Sequence, residues 1–271
     1  TCKNNIGLGG SIDINPPMIK NDSMYPPNNA IIKGAFTLAV KADDDTGVNA
    51  VTAVITTADA HNTQISIGKA FLVKPSSNDG YWTLRIDPKG EYPISDGAYK
   101  VEIQVEDTAG KVSTVTSAFT IDNTPPLLIL NRPSTAAAGA SDPNADIFGD
   151  KFLLKGQLYD RSDVERLTIT ARDASGNTKG SPAVLYSVPQ SLNVTVDSFF
   201  SSTAAPSFYR SVYGNEISKG KQQYSYAITV SDNAREYTDP TKRAGTGEGN
   251  STSTYYLYND LYQMLNESRY K

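Results

Sequence analysis

Hydrophobic and polar positions alternate with a period of two along much of this chain. In YKVEIQVED (99–107), Tyr99, Val101, Ile103 and Val105 face one way and Lys100, Glu102, Gln104 and Glu106 the other. In YSYAITVSD (224–232), Tyr224, Tyr226, Ile228 and Val230 alternate with Ser225, Ala227, Thr229 and Ser231. This is the pattern of half-buried antiparallel strands, one face on a core and one in water. Both runs close on an aspartate followed by turn residues, DTAGK from 107 and DNARE from 232.

The correspondence extends into a duplicated plan. KGAFTLAVKADDDTGVNAVTAVI (33–55) aligns with GDKFLLKGQLYDRSDVERLTITA (149–171), each a strand running into an Asp-rich turn with a second strand leaving it. GYWTLRID (80–87) matches SLNVTVD (191–197), and SAFTIDN (117–123) matches TYYLYND (254–260). Helical periodicity is confined to LYNDLYQML (257–265), where Leu257, Leu261, Met264 and Leu265 fit one helix face. About seven short strands per unit, separated by Gly, Asp, Asn and Pro turns, predict an all-β fold of two tandem immunoglobulin-like β-sandwich domains. The boundaries read as an N-terminal tail or linker over 1–15, a first domain over 16–123 and a second, with extended loops, over 124–260. A C-terminal tail or the start of a further unit occupies 261–271. The joint FTIDNTPPLLIL (119–130) is a short Pro-rich linker, echoed by SIDINPPMIKN (11–21). Proline fixes φ and removes a donor, so each double proline ends one run of sheet pairing just before the next strand begins.

DGAYKV (96–101) resembles the tyrosine corner of immunoglobulin-type domains, in which a Tyr opening strand F hydrogen-bonds back across the preceding turn; Tyr99 would be that Tyr. Around it, Trp82, Asp96-Gly97-Ala98-Tyr99, Asp107-Thr108-Ala109-Gly110 and Phe119 to Pro125 together resemble the second half of bacterial Ig-like domains found in tandem on surface proteins and adhesins. The match spans roughly residues 80–126. The second unit departs from it, with Asn193 near the place of Trp82 and Lys221-Gln222-Gln223 for Asp96-Gly97-Ala98. The resemblance implies architecture and an extracellular or cell-surface location in a bacterium, anchored through regions outside this segment. It leaves activity open, because the fold hosts many functions.

Loop length separates the units. From Ile86 to Tyr99 is 13 residues, and from Val196 to Tyr224 is 28. From Asp107 to Phe119 is 12, and from Asp232 to Tyr256 is 24. Loops lengthened on a rigid sandwich are where recognition sits. The most aromatic, DSFFSSTAAPSFYRSVYGN (197–215), offers Phe199, Phe200, Phe208, Tyr209 and Tyr213 as ligand-binding candidates, for sugar stacking or a protein anchor. The competing reading is that these rings fold back over an open edge or pack between the domains. The F–G loop (238–253) is expected at the opposite end of its sandwich, facing unit one.

Composition narrows the functions. Net charge is −4, with the 25 Lys and Arg scattered, which counts against nucleic acid. No apolar run approaches the roughly 18 residues of a membrane span. Cys2 is the only cysteine, so no intramolecular disulfide forms, and Thr1 ahead of it argues against lipidation there. The sole histidine, His61, lies in a polar turn-like stretch, TADAHNTQ, with no nucleophile assigned beside it. GTGEGN (245–250) lacks the Lys and the strand–turn–helix context of a phosphate cradle and reads as a flexible loop. No cofactor is expected. Calcium at the domain joint is the one metal to weigh, with Asp43-Asp44-Asp45, Asp107 and Asp122-Asn123 as the carboxylates; aspartate equally dominates turns that hold no metal.

The expected function is therefore non-catalytic: adhesion, or a structural spacer and display role, toward a host or cell-surface protein or a glycan. The alternative is a carbohydrate-binding accessory region of a polysaccharide-processing system.

Overall fold

The computed structural model describes residues 13–20, 22–76, 79–90, 93–132, 153–172, 177–195 and 224–258. These are all strand, turn and loop, and they form two compact units. Unit 1 comprises Thr1–Asp122 together with Arg235–Gly247, and unit 2 comprises Asn123–Ala234 and Glu248–Lys271.

Unit 1 is a two-sheet sandwich. Strands β1 (Met18–Ile19), β3 (Phe36–Asp43) and β6 (Tyr81–Ile86) make one sheet in the order β1-β3-β6. Strands β2 (Ala30–Ile32), β8 (Val112–Ile121), β7 (Gly97–Asp107), β4 (Val48–Thr57) and β5 (Gln64–Phe71) make the other, in the order β2-β8-β7-β4-β5. Lettered in chain order, that is A-B-E against A′-G-F-C-C′, the arrangement of an immunoglobulin-like sandwich. The alternation behaves as expected: Tyr99, Val101, Ile103 and Val105 are buried on β7, while Lys100 and Glu102 are exposed. They pack with Phe36, Leu38 and Val40 of β3 and with Trp82 of β6. The Tyr99 hydroxyl donates to the Ser95 carbonyl at 2.8 Å, which is the tyrosine corner the sequence predicts. Its ring stacks on Phe119, and Phe119 in turn packs against Phe36.

Unit 2 repeats the plan. Strands β9 (Leu127–Arg132), β10 (Leu153–Tyr159) and β13 (Ser191–Thr195) form a sheet ordered β13-β10-β9. Strands β12 (Thr178–Tyr186), β11 (Val164–Arg172), β14 (Tyr224–Asp232) and β15 (Ser251–Tyr258) form the other, ordered β12-β11-β14-β15. In the same letters this is A-B-E against C′-C-F-G. Leu154, Leu158, Leu167, Ile169, Leu192, Ile228 and Val230 fill the core. In both units the A strand starts directly after a double proline, at Met18 after Pro16-Pro17 and at Leu127 after Pro125-Pro126. The helix pattern at 257–265 begins on β15, and its remaining residues lie outside the described ones.

Residues 235–247 are a part of unit 1 that the repeat did not anticipate. The chain reaches them from β14 and leaves them for β15, yet their contacts lie with β2 and β3. Arg235 N–H donates to Ile31 O and Lys33 N–H to Arg235 O, each at 2.9 Å, along the edge of β2. Thr37 of β3 donates its N–H to Tyr237 O at 2.8 Å and its hydroxyl to Thr238 O at 3.0 Å. The segment thus bonds to a strand of each sheet. Tyr237 is a buried member of the unit 1 core and meets Tyr25 edge-on, with ring centroids 5.8 Å apart.

The two F–G connections begin with the same device. Asp107 is fully buried, and its Oδ1 accepts from Ala109 N–H and from Lys111 N–H, four residues on. Asp232 is also fully buried, and its Oδ1 accepts from Ala234 N–H and from Asn250 N–H, eighteen residues on. The first carboxylate closes a tight turn within unit 1, and the second holds both ends of a long excursion that leaves unit 2. In the GTGEGN stretch, read from the sequence as a flexible loop, Thr246, Gly247 and Glu248 are exposed and two glycines are closely packed. A Cβ on Gly245 would stand 2.4 Å from Arg235 Cβ, and one on Gly249 would stand 1.9 Å from Asp232 O.

Candidate functional site

The turn between strands B and C is acidic in both units, and the two units use it differently.

In unit 1 it is Asp43-Asp44-Asp45. Asp44 Oδ1 accepts from Thr46 N–H, the Thr46 hydroxyl and Gly47 N–H at 2.8–3.0 Å, so it caps its own turn. Asp13 reaches the same turn from the preceding segment: its Oδ2 lies 2.9 Å from the Thr46 hydroxyl, whose one proton it shares with Asp44, and its Oδ1 lies 3.1 Å from the Lys111 ammonium. The Thr46 bond, aided by Lys111 and the Asn15 N–H, holds the Asp13 carboxyl below the usual carboxylate range against the opposing effect of burial. Carboxylate oxygens of Asp13, Asp44 and Asp45 lie within 4.8 Å of one another beside a cavity of about 360 Å³. Hard cations take such oxygens. Here Thr46, Gly47 and Lys111 already engage two of the three carboxylates, and Asn15 Nδ2 lies 3.4 Å from Asp45 Oδ2.

In unit 2 the turn joins β10 to β11 and borders a cavity of about 500 Å³. Asp160, Ser162, Asp163 and Glu165 come from this turn and the start of β11. Tyr186 ends β12, Ser187 and Gln190 come from the β12–β13 connection, and Asn233 directly follows β14. The wall is set by backbone. Ser187, at φ 54°, donates its N–H to Glu165 O at 2.9 Å, and Leu158 N–H donates to Gln190 O at 2.8 Å. The Ser162 hydroxyl donates to Asp160 Oδ2 at 2.9 Å. Asn233 Oδ1 is buried without a hydrogen-bond partner, a state that costs free energy. Tyr186 is 68% exposed. Three carboxylates, two amides and an exposed phenol ring suit a polyhydroxylated or cationic ligand: the ring offers an apolar face and the acids accept hydrogen bonds.

The aromatic candidates Phe199, Phe200, Phe208, Tyr209 and Tyr213 lie outside the described residues, as does Cys2. His61 sits in an exposed turn of unit 1, its N–H donating to Asp59 Oδ1 at 2.9 Å. Asp122, at the joint, is fully buried in unit 1 and donates its N–H to Ile32 O. The cleft residues Tyr186, Gln190 and Asn233 were not singled out by the sequence. The signal available for them was the Asp-rich turn, already legible in DRSDVE.

No family model matches the sequence, and no curated protein matches it either. Among solved structures, the chain is similar to the fibronectin(III)-like modules of Clostridium thermocellum CbhA. Identity there is 11%, over 88% of this chain and 92% of that one, with a TM-score of 0.34. It is also similar to a 1.5-MDa bacterial ice-binding adhesin, at 13% identity over 91% of this chain and 65% of that one, TM-score 0.34. SGBP-B of the Bacteroides ovatus mixed-linkage glucan utilization locus aligns at 11% identity over 88% of this chain and 47% of that one, TM-score 0.25. Similarity at this level carries no weight for ligand or activity, which must come from this chain's own residues. In the described residues, no helix is long and apolar enough to cross a membrane.

Proposed function

We propose that this chain is a non-catalytic binding region of a bacterial cell-surface or secreted protein. Unit 1 serves as a spacer and unit 2 presents the recognition surface to a host or cell-surface partner. The observation that carries this reading is the exposed Tyr186 ring beside the B–C turn of unit 2; among the described residues, the cavity beside the unit 1 turn is lined by no aromatic ring. In unit 1 Asp13 and Asp44 are engaged by the turn itself and by Lys111. In unit 2 the equivalent turn opens into a cleft beside an exposed Tyr186.

A carbohydrate-binding accessory role is the second reading, favoured by an aromatic ring placed beside carboxylates and amides. The test applies the full chain to immobilised glycans and to whole cells, with Tyr186→Ala and Asp163→Ala as variants. Saturable glycan binding lost in both, with unfolding midpoints unchanged, supports the carbohydrate reading. Cell binding that is lost in the variants but absent from glycans supports a protein partner. Binding that neither variant affects, or no binding to either surface, overturns the assignment of the cleft.

A further inference from the structure

We propose that residues 235–247 form a strap that makes completion of unit 1 conditional on the β14–β15 hairpin of unit 2. The inference stands on geometry alone and holds whatever ligand unit 2 takes.

The strap has a shape of its own. Glu236 and Thr246 exchange both backbone hydrogen bonds at 2.9 Å, closing it into a small hairpin. Asp239 turns its tip, with Oδ1 accepting Thr241 N–H at 3.0 Å and the Thr241 hydroxyl at 2.7 Å. Gly245 sits so close to Arg235 and Tyr237 that no Cβ fits there. The closed hairpin therefore presents Tyr237 on a fixed base.

Its seat lies in unit 1 and is not surface decoration. Tyr237 is 9% exposed and belongs to the same core as Phe36, Leu38 and Val101. The strap supplies hydrogen bonds to Ile31, Lys33 and Thr37, and the Arg243 guanidinium donates to Asp22 O. Without the strap, Thr37, Lys33 and Tyr25 would lose their partners or cover, and buried groups left without them are expensive. These contacts join residues about two hundred positions apart: Thr37 with Thr238 is a separation of 201. Segments of unit 1 made early in the chain therefore wait for a segment made late.

The strap's two ends are held by unit 2. Asp232 fixes Ala234 on the outgoing side and Asn250 on the returning side, and β14 pairs with β15 immediately beyond, with Ser231 opposite Ser251. Opening that hairpin frees both anchors of the strap. By linkage, a change that destabilises β14 should lower the stability of unit 1 as well.

Trp82, the only tryptophan, is buried in unit 1, so its fluorescence reports that unit within the intact chain. Thermal unfolding of the full chain is followed at Trp82 and by far-ultraviolet circular dichroism. Tyr237→Ala is expected to lower the Trp82 midpoint by about 5–10 °C. Thr37→Val, which keeps the β-branched shape and removes one bond to the strap, should lower it by a few degrees. Ile228→Val, in the unit 2 core on β14, should lower the Trp82 midpoint together with the dichroism transition. The proposal is overturned if Tyr237→Ala and Thr37→Val leave the Trp82 midpoint in place. It is equally overturned if Ile228→Val moves the dichroism transition of unit 2 and not the Trp82 signal.

Discussion

Asp232 grips Asn250 twice: Oδ1 accepts the Asn250 backbone N–H and Oδ2 its side-chain amide, both at 2.8 Å. Two bonds between the same pair of residues fix the geometry of the returning chain as well as its distance. The carboxylate is fully buried and also caps Ala234. Asp232→Ala should therefore destabilise the protein by about 3 kcal/mol or more, since several buried N–H groups lose their acceptor. Asn250→Ala keeps the backbone bond to Oδ1, loses the side-chain bond to Oδ2, and should cost about 1–2 kcal/mol. Urea unfolding followed by circular dichroism separates the two.

Gly249 lies beside that clamp, where a Cβ would fall 1.9 Å from a backbone oxygen. Backbone cannot yield as a flexible side chain can. Gly249→Ala should lower the midpoint of the dichroism transition by about 5 °C or more. Gly110→Ala tests a different cost: its φ is 82° with nothing within reach of a Cβ, so only backbone strain opposes the change. A loss of about 1 kcal/mol is expected there.

The tyrosine corner gives a milder prediction. Tyr99→Phe keeps the ring on Phe119 and removes the 2.8 Å bond to Ser95 O. The expected loss is about 1 kcal/mol in unit 1, read as an earlier Trp82 transition with an unchanged denaturant slope.

Alkaline stability should fail through unit 1. Burial pushes the Tyr25 hydroxyl up from 10.0 to about 12, while a hydrogen bond from the Asp239 backbone pulls the other way. Burial raises Tyr237 as well. A folded value above the unfolded one means the folded state holds its proton where the unfolded state has lost it. The associated stability is complete below pH 10 and falls as pH rises from about 10 to about 12. Tyr25→Phe should flatten that fall in a pH series of Trp82 midpoints; an unchanged slope would place the ionisation elsewhere.

The acid limb runs in the opposite direction. Asp59 is lowered by the Thr57 hydroxyl and by N–H groups of its turn, and Asp239 is lowered by Thr241 and its own turn. Their contribution is present above the unfolded carboxylate value of 3.8 and is lost as pH falls below it. Both groups are exposed, so the effect should be small and should shrink with added salt.

Much of the sandwich was legible because period-two alternation is a direct imprint of one buried face. Val101, Ile103 and Val105 could be assigned from spacing alone. The B–C acidic turns and the Tyr99 corner were legible because turn chemistry is local. Alternation said nothing of Thr37 and Ala39, which sit on the polar phase of β3 yet are buried. They are covered by partners remote in sequence: Ala39 exchanges both backbone bonds with Tyr25, and Thr37 bonds to Tyr237 and Thr238. No pattern within β3 could reveal that. The same limit explains why Tyr186 and Asn233 were missed, since they meet the acidic turn only after three strands are paired. Length differences pointed correctly to the F–G connection as unusual, but not to where its tyrosine would be buried.

Strand β2 closes one side of the five-stranded sheet of unit 1, and it is only three residues long. Along its outer side Arg235 donates its backbone N–H to Ile31 O and accepts the N–H of Lys33, the residue after β2. An open sheet margin invites pairing with the margin of another molecule. Wherever copies of the chain meet, such a margin would be a standing route to sheet-to-sheet polymerisation. By spending one of its own loops on β2, the chain leaves that margin no vacancy for a neighbour's strand.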